Sequence, residues 1–377
     1  MDWSDFIIPS AGLIIFYLFA LALLVQLWYY LRYFSGFAFY KKKELAPFTP
    51  PASIVICAKN EDHNIVNFLP LVFEQEYPEF EVVVVNDCSF DNTGDILNEM
   101  AKKHTNLKVV TIIENEHHAH GKKVALMMGI KGATHEHLLL TDADCYPTGK
   151  DWLKNMMQQF TPETDIVLGY GAYEKRKGFL NKVIRFDTFM IALQYLSFSL
   201  ARKTYMGTGR NLAYKKSLFF SLKGFASHYH IESGDDDLFI NEAITKMKSK
   251  TEICVDTPTV SKVKTTLNSW IRQKRRHVTT FEQYNFGSKF RLTMLSASLY
   301  AFYFCFVVLL IVQFQPIVVL SAFLLRLIIQ LLIYNKSMKL LMEKDLLVFS
   351  PLIELCLLVL YPVVTLSNMF FKKSNWK

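Results

Sequence analysis

A few short clusters of acids and bases carry the chemistry legible in this sequence. Asp142 and Asp144 are separated by one residue in Thr141-Asp142-Ala143-Asp144-Cys145. Two carboxylates so spaced at a strand end, where the chain leaves the pleat, can converge on one divalent cation. Hard oxygen donors favour Mg2+ or Mn2+. The same pattern is also common in ordinary turns. Asp235, Asp236 and Asp237 stand consecutively after Ser233-Gly234. Adjacent carboxylates repel and gain little in a bare surface turn, whereas a site that moves protons has a use for them. A helix cap for Leu238 onward is the structural alternative, and both roles can coexist among the three. Gln273-Lys274-Arg275-Arg276-His277 supplies guanidinium groups suited to phosphate. Lys122, just after Gly121, stands where a helix start offers an anion both a cation and backbone N–H groups, or where a solvated helix simply begins.

These clusters need a scaffold, and residues 50 to about 285 supply one by alternating apolar runs with helical patterns. The runs are Ala52 to Ala58, Glu81 to Val85, Leu107 to Ile113 and His137 to Leu140. Helical spacing appears over Ile65 to Glu74, Thr93 to Lys103 and Lys122 to Gly132. Continuous apolar strands separated by helices predict an α/β fold with a mostly parallel sheet covered on both faces. Such sheets bind ligands beyond the carboxyl ends of their strands. The polar segments fall there: Ala58-Lys59-Asn60-Glu61 after the first run, Asn86-Asp87-Cys88-Ser89 after the second, and the Asp142/Asp144 pair after the fourth. Asp91-Asn92-Thr93 reads as turn and cap chemistry. His117, His118 and His120 lack a metal-ligand spacing and read as a loop before Gly121.

Taken together and in order, these segments resemble the nucleotide-sugar half of a family 2 glycosyltransferase of the GT-A fold, the group that contains cellulose, chitin and hyaluronan synthases. The matching pieces are Ala58-Lys59-Asn60-Glu61, Val85-Asn86-Asp87-Cys88-Ser89-Phe90-Asp91, Gly121-Lys122-Lys123-Val124-Ala125-Leu126 and Thr141-Asp142-Ala143-Asp144. Further on, Gly207-Thr208-Gly209-Arg210-Asn211-Leu212-Ala213-Tyr214 resembles the family's acceptor-side segment, Ser233-Gly234-Asp235-Asp236-Asp237 its catalytic-base motif, and Gln273 to His277 its Q-x-x-R-W motif. The resemblance covers about 230 residues, enough for a whole catalytic domain.

It implies an inverting transfer from a nucleotide sugar, UDP-linked in most relatives, to a hydroxyl of a lipid-linked or polysaccharide acceptor. Ala58, Asn60, Glu61, Asp87, Lys122, Asp142, Gln273 and Arg276 would hold the nucleotide sugar. Asp144, with Asp142, would hold Mg2+ or Mn2+, and Asp236 would be the general base. Gly209, Asp235 and His277 would lie on the acceptor side. Two positions depart from the pattern. Asn86 stands where many relatives have Asp, and His277 replaces the Trp that goes with processive chain synthesis. The resemblance therefore implies a one-step transferase ahead of a processive polysaccharide synthase or a non-catalytic membrane partner in polysaccharide export.

Composition places this domain at a membrane. Of 377 residues 51% are hydrophobic and 20% charged, and the apolar excess lies at the two ends. Ile7 to Leu31 carries no charge, and its length of about 25 residues suffices to cross a hydrocarbon core. The acidic start Met1-Asp2-Trp3-Ser4-Asp5 and the aromatic Trp28-Tyr29-Tyr30 fit a permanent anchor better than a signal peptide. Lys41, Lys42 and Lys43 place the following domain in the cytoplasm by the positive-inside rule. Thr293 to Phe314 and Pro316 to Tyr334 predict a hairpin of two helices with both ends cytoplasmic. Leu346 to Phe371 is long enough to cross, but Pro351, Glu354 and Pro362 also suit a kinked or re-entrant segment, and Lys372 and Lys373 would break the charge rule if it crossed.

Arg326 and Glu354 are intramembrane charges expected to pair. Phe179 to Leu200 reads as a helix packed in the core or lying at the membrane interface, since Lys182, Arg185 and Asp187 spoil a clean span. The expected division is 1–40 anchor, 41–290 cytoplasmic catalytic domain (41–150 nucleotide-sugar half, 151–290 acceptor half) and 291–377 C-terminal membrane region. The expected location is the cell membrane.

The net charge of +8 fits anionic lipid and a phosphorylated substrate. Basic residues gather beside the membrane segments and in one motif, without interleaved aromatics, so no nucleic-acid partner is expected. About four spans, without an internal repeat, do not suit a solute pathway built by this chain alone. Six scattered cysteines without a C-x-x-C pair exclude a zinc ribbon and a disulfide framework.

Overall fold

The computed structural model describes residues 4–42, 45–113, 121–231, 233–245 and 247–370. Lys43, the three histidines His117, His118 and His120, and Lys372 and Lys373 lie outside the described residues. The chain starts with α1 (Ser4–Tyr29), which passes through a π-helical turn (Tyr30–Phe34) into α2 (Ser35–Ala38). The first half of the central unit alternates strand and helix: β1 (Ala52–Ala58), α3 (Asp62–Phe73), β2 (Phe80–Asp87), α4 (Thr93–Lys103), β3 (Leu107–Ile112), α5 (Lys122–Gly132) and β4 (His137–Asp142). Its second half is less regular: β5 (Cys145–Pro147), α6 (Trp152–Met157), β6 (Ile166–Leu168), β7 (Gly171–Tyr173), α7 (Phe179–Leu200), β8 (Leu212–Lys215), α8 (Lys216–Ser221), α9 (Asp237–Ala243), β9 (Ser249–Thr251), β10 (Thr259–Ser261) and α10 (Leu267–Val278). Three long helices follow, α11 (Phe286–Ile311), α12 (Pro316–Leu340) and α13 (Ser350–Phe370).

The seven-stranded sheet runs β3-β2-β1-β4-β8-β6-β9. β1 pairs in parallel with β2 and β4, and β2 with β3, while β8 is antiparallel to both β4 and β6. The period-two geometry of a strand divides its apolar residues between two cores. Ile54, Ile56, Val82 and Val84 pack with α3, α4 and α6, whereas Val55 and Val83 face α5 and α7. α5 lies close on the sheet because Gly129 has no side chain: a Cβ there would come within 2.7 Å of Val55 and 2.8 Å of Val85. The second strand is longer than its apolar run, since Asn86 and Asp87 still pair with Thr111 and Ile112 of β3. Ladder bonds come from the backbone and continue where side chains turn polar. α3 likewise begins at Asp62, three residues before its first apolar position.

Among the described residues, five helices are long and apolar enough to cross a membrane: residues 11–38, 179–200, 286–311, 316–340 and 344–368. Three of them, α1, α11 and α12, pack on one another through Phe19, Phe302, Cys305, Leu309 and Val319. Outward they leave Ile14, Leu21, Phe304, Ile311, Ile317 and Leu332 exposed, an apolar surface suited to lipid rather than water. Arg326 of α12 and Glu354 of α13 pair at 3.0 Å, joined by Gln26, Tyr303, Gln330 and Tyr334. α7 is different. Most of it is buried in the α/β core, and its charges are answered within the protein: Arg185 by Glu343 and Asp345, Asp187 by Lys274 and Tyr361.

Candidate active site

A cavity of about 800 Å3 opens at the carboxyl ends of the central strands. β1 delivers Lys59 and Glu61 to it, β4 delivers Asp142 and Asp144, and the start of α5 delivers Lys122. Asp235, Asp236 and Asp237 enter from the segment before α9, and Gln273, Arg276 and His277 from α10.

Lys122 joins two of these segments. Its Nζ lies 3.0 Å from Asp142 Oδ1 and 3.0 Å from Asp235 Oδ2. Burial opposes its charge, but Asp142, Asp235 and Asp236 outweigh it and hold the ammonium well above its ordinary range. Asp235 is the converse: burial favours its neutral form, and Lys122 outweighs this to keep it an anion.

Asp236 has no cation in contact. Its Oδ2 accepts the Gly209 N–H at 2.8 Å, and its Oδ1 accepts the Asp237 N–H at 2.8 Å as it caps α9. Burial, then Asp235 and Asp237, push its carboxyl up to about 7, only partly offset by Lys122 and the Gly209 N–H. A carboxylate offers about four lone-pair positions, so two backbone donors leave room for another proton. Asp237 sits at the cavity's inner edge, where Oδ2 accepts from Thr280 and, at 2.8 Å, from Tyr284. The three acids are thus separated by environment into an ion pair, a carboxyl near neutrality and a carboxyl held by two hydroxyl donors. Gly234, with φ of +97°, makes the turn that sends them apart.

Asp142, Asp144 and Cys145 bring their ligand atoms within 4.8 Å of one another. Burial, then Asp142, raise the Asp144 carboxyl, with Arg210 pulling the other way. Two carboxylates held this close favour a cation between them. Burial drives the Cys145 thiol well above its ordinary range, so it stays protonated and the usable donors are carboxylate oxygens. That hard donor set fits Mg2+ or Mn2+.

The remaining expected site residues are placed unevenly. Gln273 Nε2 donates to the Tyr173 hydroxyl at 3.1 Å, and Arg276 faces the cavity beside it. His277 is exposed on the cavity wall, and the crowding around it, then Lys274, Arg276 and Arg210, push its imidazole below its ordinary range. Ala58 and Asp87 are buried and Asn60 is half-buried, beside the cavity-lining Lys59 and Glu61 and the carboxyl end of β2. Asn60 takes φ of +56°, accepts the Phe90 N–H at 3.0 Å and donates its own N–H to Ser89 Oγ at 3.0 Å. It thereby fixes the turn that carries Lys59 and Glu61.

Several contributors escape a reading of motifs. Arg210 stacks on Tyr173 with its guanidinium carbon 4.3 Å from the ring centroid, and donates to the Ala172 carbonyl at 3.2 Å. The only signal for it was its place inside the glycine-rich segment. Lys123 is buried, and its Nζ donates to the carbonyls of His228 at 2.6 Å and Ile231 at 2.8 Å. It thus ties α5 to the segment leading into the acids, and nothing in the local pattern separates it from an ordinary helix-start lysine. Tyr170, Trp270 and Tyr284 line the cavity from three separate elements.

Comparison with known proteins agrees with this geometry. Residues 53–221 match the family model "Glycosyl transferase family 2". Over 92 residues the chain is 38% identical to the poly-beta-1,6-N-acetyl-D-glucosamine synthase of Staphylococcus epidermidis, covering 24% of this chain and 21% of that protein. Over 211 residues it is 29% identical to the dolichyl N-acetyl-alpha-D-glucosaminyl phosphate 3-beta-D-2,3-diacetamido-2,3-dideoxy-beta-D-glucuronosyltransferase of Methanococcus voltae, covering 54% and 56%. The matches thus span about a fifth and just over half of these relatives' lengths. Among solved structures, the mannosyltransferase from Pyrobaculum calidifontis in complex with GDP-Man and Mn2+ superposes with a TM-score of 0.60 at 20% identity, covering 95% of this chain and 98% of that one. At that identity the likeness establishes the fold.

Proposed function

We propose that this chain, a family 2 glycosyltransferase by its domain and a GT-A protein by its fold, transfers a sugar with inversion from a nucleotide sugar, UDP-linked, to a hydroxyl of a lipid-linked acceptor. The observation that carries this reading is Asp236. It is a carboxylate near neutral pKa, oriented by two backbone N–H groups, in the same cavity as the Lys122–Asp142–Asp235 bridge. A general base works best when its pKa lies near the operating pH.

In the proposed step the acceptor O–H gives its proton to Asp236 while its oxygen bonds to the anomeric carbon. The bond from that carbon to the diphosphate oxygen breaks, and the nucleoside diphosphate leaves with the electron pair. Lys122 and Arg276 supply positive charge beside the departing diphosphate, and Arg276 can grip it through two parallel N–H donors. Asp142 and Asp144 would hold Mg2+ or Mn2+, which when bound neutralises diphosphate charge. Glu61 borders the cavity on the donor side, with Asn60 and Asp87 supporting the turn and strand end behind it. Gly209 positions Asp236, Asp235 positions Lys122, and His277 borders the acceptor side of the cavity.

The lipid-linked acceptor is supported by who builds the cavity wall. Beside Thr188, Ile191 and Ala192 of the core helix α7, Leu292 of α11 and Tyr361 of α13 line it, so part of the wall comes from helices long and apolar enough to cross a membrane. By the positive-inside rule the reaction would take place at the cytoplasmic face of the cell membrane.

The test is a panel of nucleotide sugars offered to the purified full chain in lipid vesicles, with mass analysis of the extracted lipid. One added sugar, lost in Asp144→Asn and Asp236→Asn, is the expected result. A ladder of products would replace the one-step reading by a processive synthase. Wild-type turnover in both variants would remove the site assignment.

A further inference from the structure

α13 is held along its length, first by α11 and α12 and then by α7 and α10 of the α/β unit. Near its start, Glu354 meets Arg326 at 3.0 Å and accepts from Tyr303 at 2.7 Å. Two turns on, Tyr361 donates to Asp187 of α7, whose other oxygen pairs with Lys274 of α10. Near its end, Asn368 accepts from Arg275 Nε at 2.8 Å and donates to the Arg275 carbonyl at 3.1 Å. Arg275 belongs to α10, next to the cavity-lining Arg276. Between Glu354 and Asn368 a helix rises about 21 Å. If α13 left the unit to cross a bilayer, Asn368 would be carried roughly that distance away and α10 would be out of its reach.

The two faces of α13 differ in a regular way. Ile353, Leu357 and Val364 are buried against the protein. Leu352, Leu355, Val359, Val363 and Leu366 point outward, 44–67% exposed, at the three- and four-residue spacing of a single helical stripe. Between Leu347 and Phe370 the sole charge is Glu354, and it is turned inward. The outward stripe is therefore wholly apolar and too extensive for water. Exposed Lys336, Lys339 and Lys344 precede the helix, where headgroup phosphates would meet them.

We infer that α13, although long and apolar enough to cross a membrane, lies along the membrane surface on the side of the α/β unit, its outward stripe covered by the acyl chains of that leaflet. The exposed lysines ahead of the stripe, and the like apolar faces on α1, α11 and α12, make lipid rather than a protein partner its occupant. The three helices α1, α11 and α12 then do the crossing. One consequence rests on the transferase reading, although the placement of α13 does not. Tyr361 on its inner face lines the cavity, so an amphiphilic acceptor can reach Asp236 past a wall that already rests in lipid.

The test uses the full chain in phosphatidylcholine–phosphatidylglycerol vesicles. Single cysteines at Leu352, Val359 and Leu366, in a background with the native cysteines replaced, carry a fluorophore, and lipids with quenchers at known depths report its position. An in-plane helix places all three at one shallow depth, within about 5 Å of one another, as for a helix sunk at the headgroup boundary. A graded series, with Leu352 and Leu366 about 20 Å apart in depth, overturns the inference. A second measurement leaves the chain unsubstituted and appends a protease-cleavable tag after Lys377. Cleavage in vesicles that expose the α/β unit is expected, and a tag protected until the vesicles are lysed overturns the inference independently.

Discussion

Replacing Asp236 by Asn keeps the shape of the residue and removes both its charge and its capacity as a base. General-base catalysis contributes about 10²–10⁴-fold, so transfer should fall by that factor, equivalent to about 3–5 kcal/mol of barrier. Stability should move the other way. With a folded-state pKa raised to about 7, Asp236 retains its proton to higher pH in the folded chain than in the unfolded one. The folded state then binds more protons between about pH 4 and 7. Its contribution to stability is complete below that window and is lost as pH rises through it, by about 4 kcal/mol at 1.36 kcal/mol per unit.

Asn does not ionise and escapes that loss. It does present an amide to one of the two N–H groups that now donate to Asp236, which costs about 1–3 kcal/mol. The charge effect is the larger, and Asp236→Asn should be more stable than the wild type at pH 8 by about 1–3 kcal/mol. The assay pairs transfer rates with thermal unfolding in detergent across pH. Wild-type kcat/KM should rise with pH to a plateau above about 7, the limb being absent from the residual activity of the variant. A variant within tenfold of wild-type rate, or a wild-type profile flat through neutrality, refutes Asp236 as base. A variant that is less stable at pH 8 refutes the electrostatic argument.

Other consequences can be checked separately. Asp144→Asn should raise the Mn2+ concentration needed for half-maximal transfer by at least about 10–100-fold, since even indirect partners of a metal site carry that much, and titration of a chelated preparation measures it. Lys123→Met leaves the His228 and Ile231 carbonyls without their cationic donor; a loss of about 2–4 kcal/mol is expected, and hydrogen exchange should accelerate locally over residues 226–236. Arg326→Met strands the buried Glu354 and should destabilise by about 3–5 kcal/mol, whereas the double variant with Glu354→Gln recovers much of it. A double-mutant cycle by thermal unfolding reads the coupling, and strict additivity would contradict a direct pair.

The sites of chemistry were legible because they are local. A strand end followed by a polar tripeptide needs no partner to be recognised, and the Asp142/Asp144 pair and the acid triplet are each contiguous or nearly so. The individual roles within the triplet were not legible. Lys122 reaches Asp235 across a long stretch of chain, Thr280 and Tyr284 come to Asp237 from beyond α10, and Gly209 meets Asp236 from another segment. Which acid is paired with a cation, which titrates near neutrality and which is held by hydroxyl donors depends on those visitors. Asn60 and Asp87 stand at the strand ends where their motifs put them, and folding decides their burial: Asp87 is buried and Asn60 half-buried.

The sequence by itself determined the alternation of strand and helix, the apolar ends and the positions of the acids, because periodicity, hydropathy and strand ends are properties of neighbouring residues. Tertiary structure alone decided the antiparallel insertion of β8, the burial of α7, the contacts that hold α13 against the unit, and the division of labour among three adjacent aspartates. Apolar length reads the same in a core helix, a spanning helix and a helix lying in lipid. Only the partners that answer Arg185, Asp187 and Asn368 distinguish them, and those partners are brought close by folding, not by sequence.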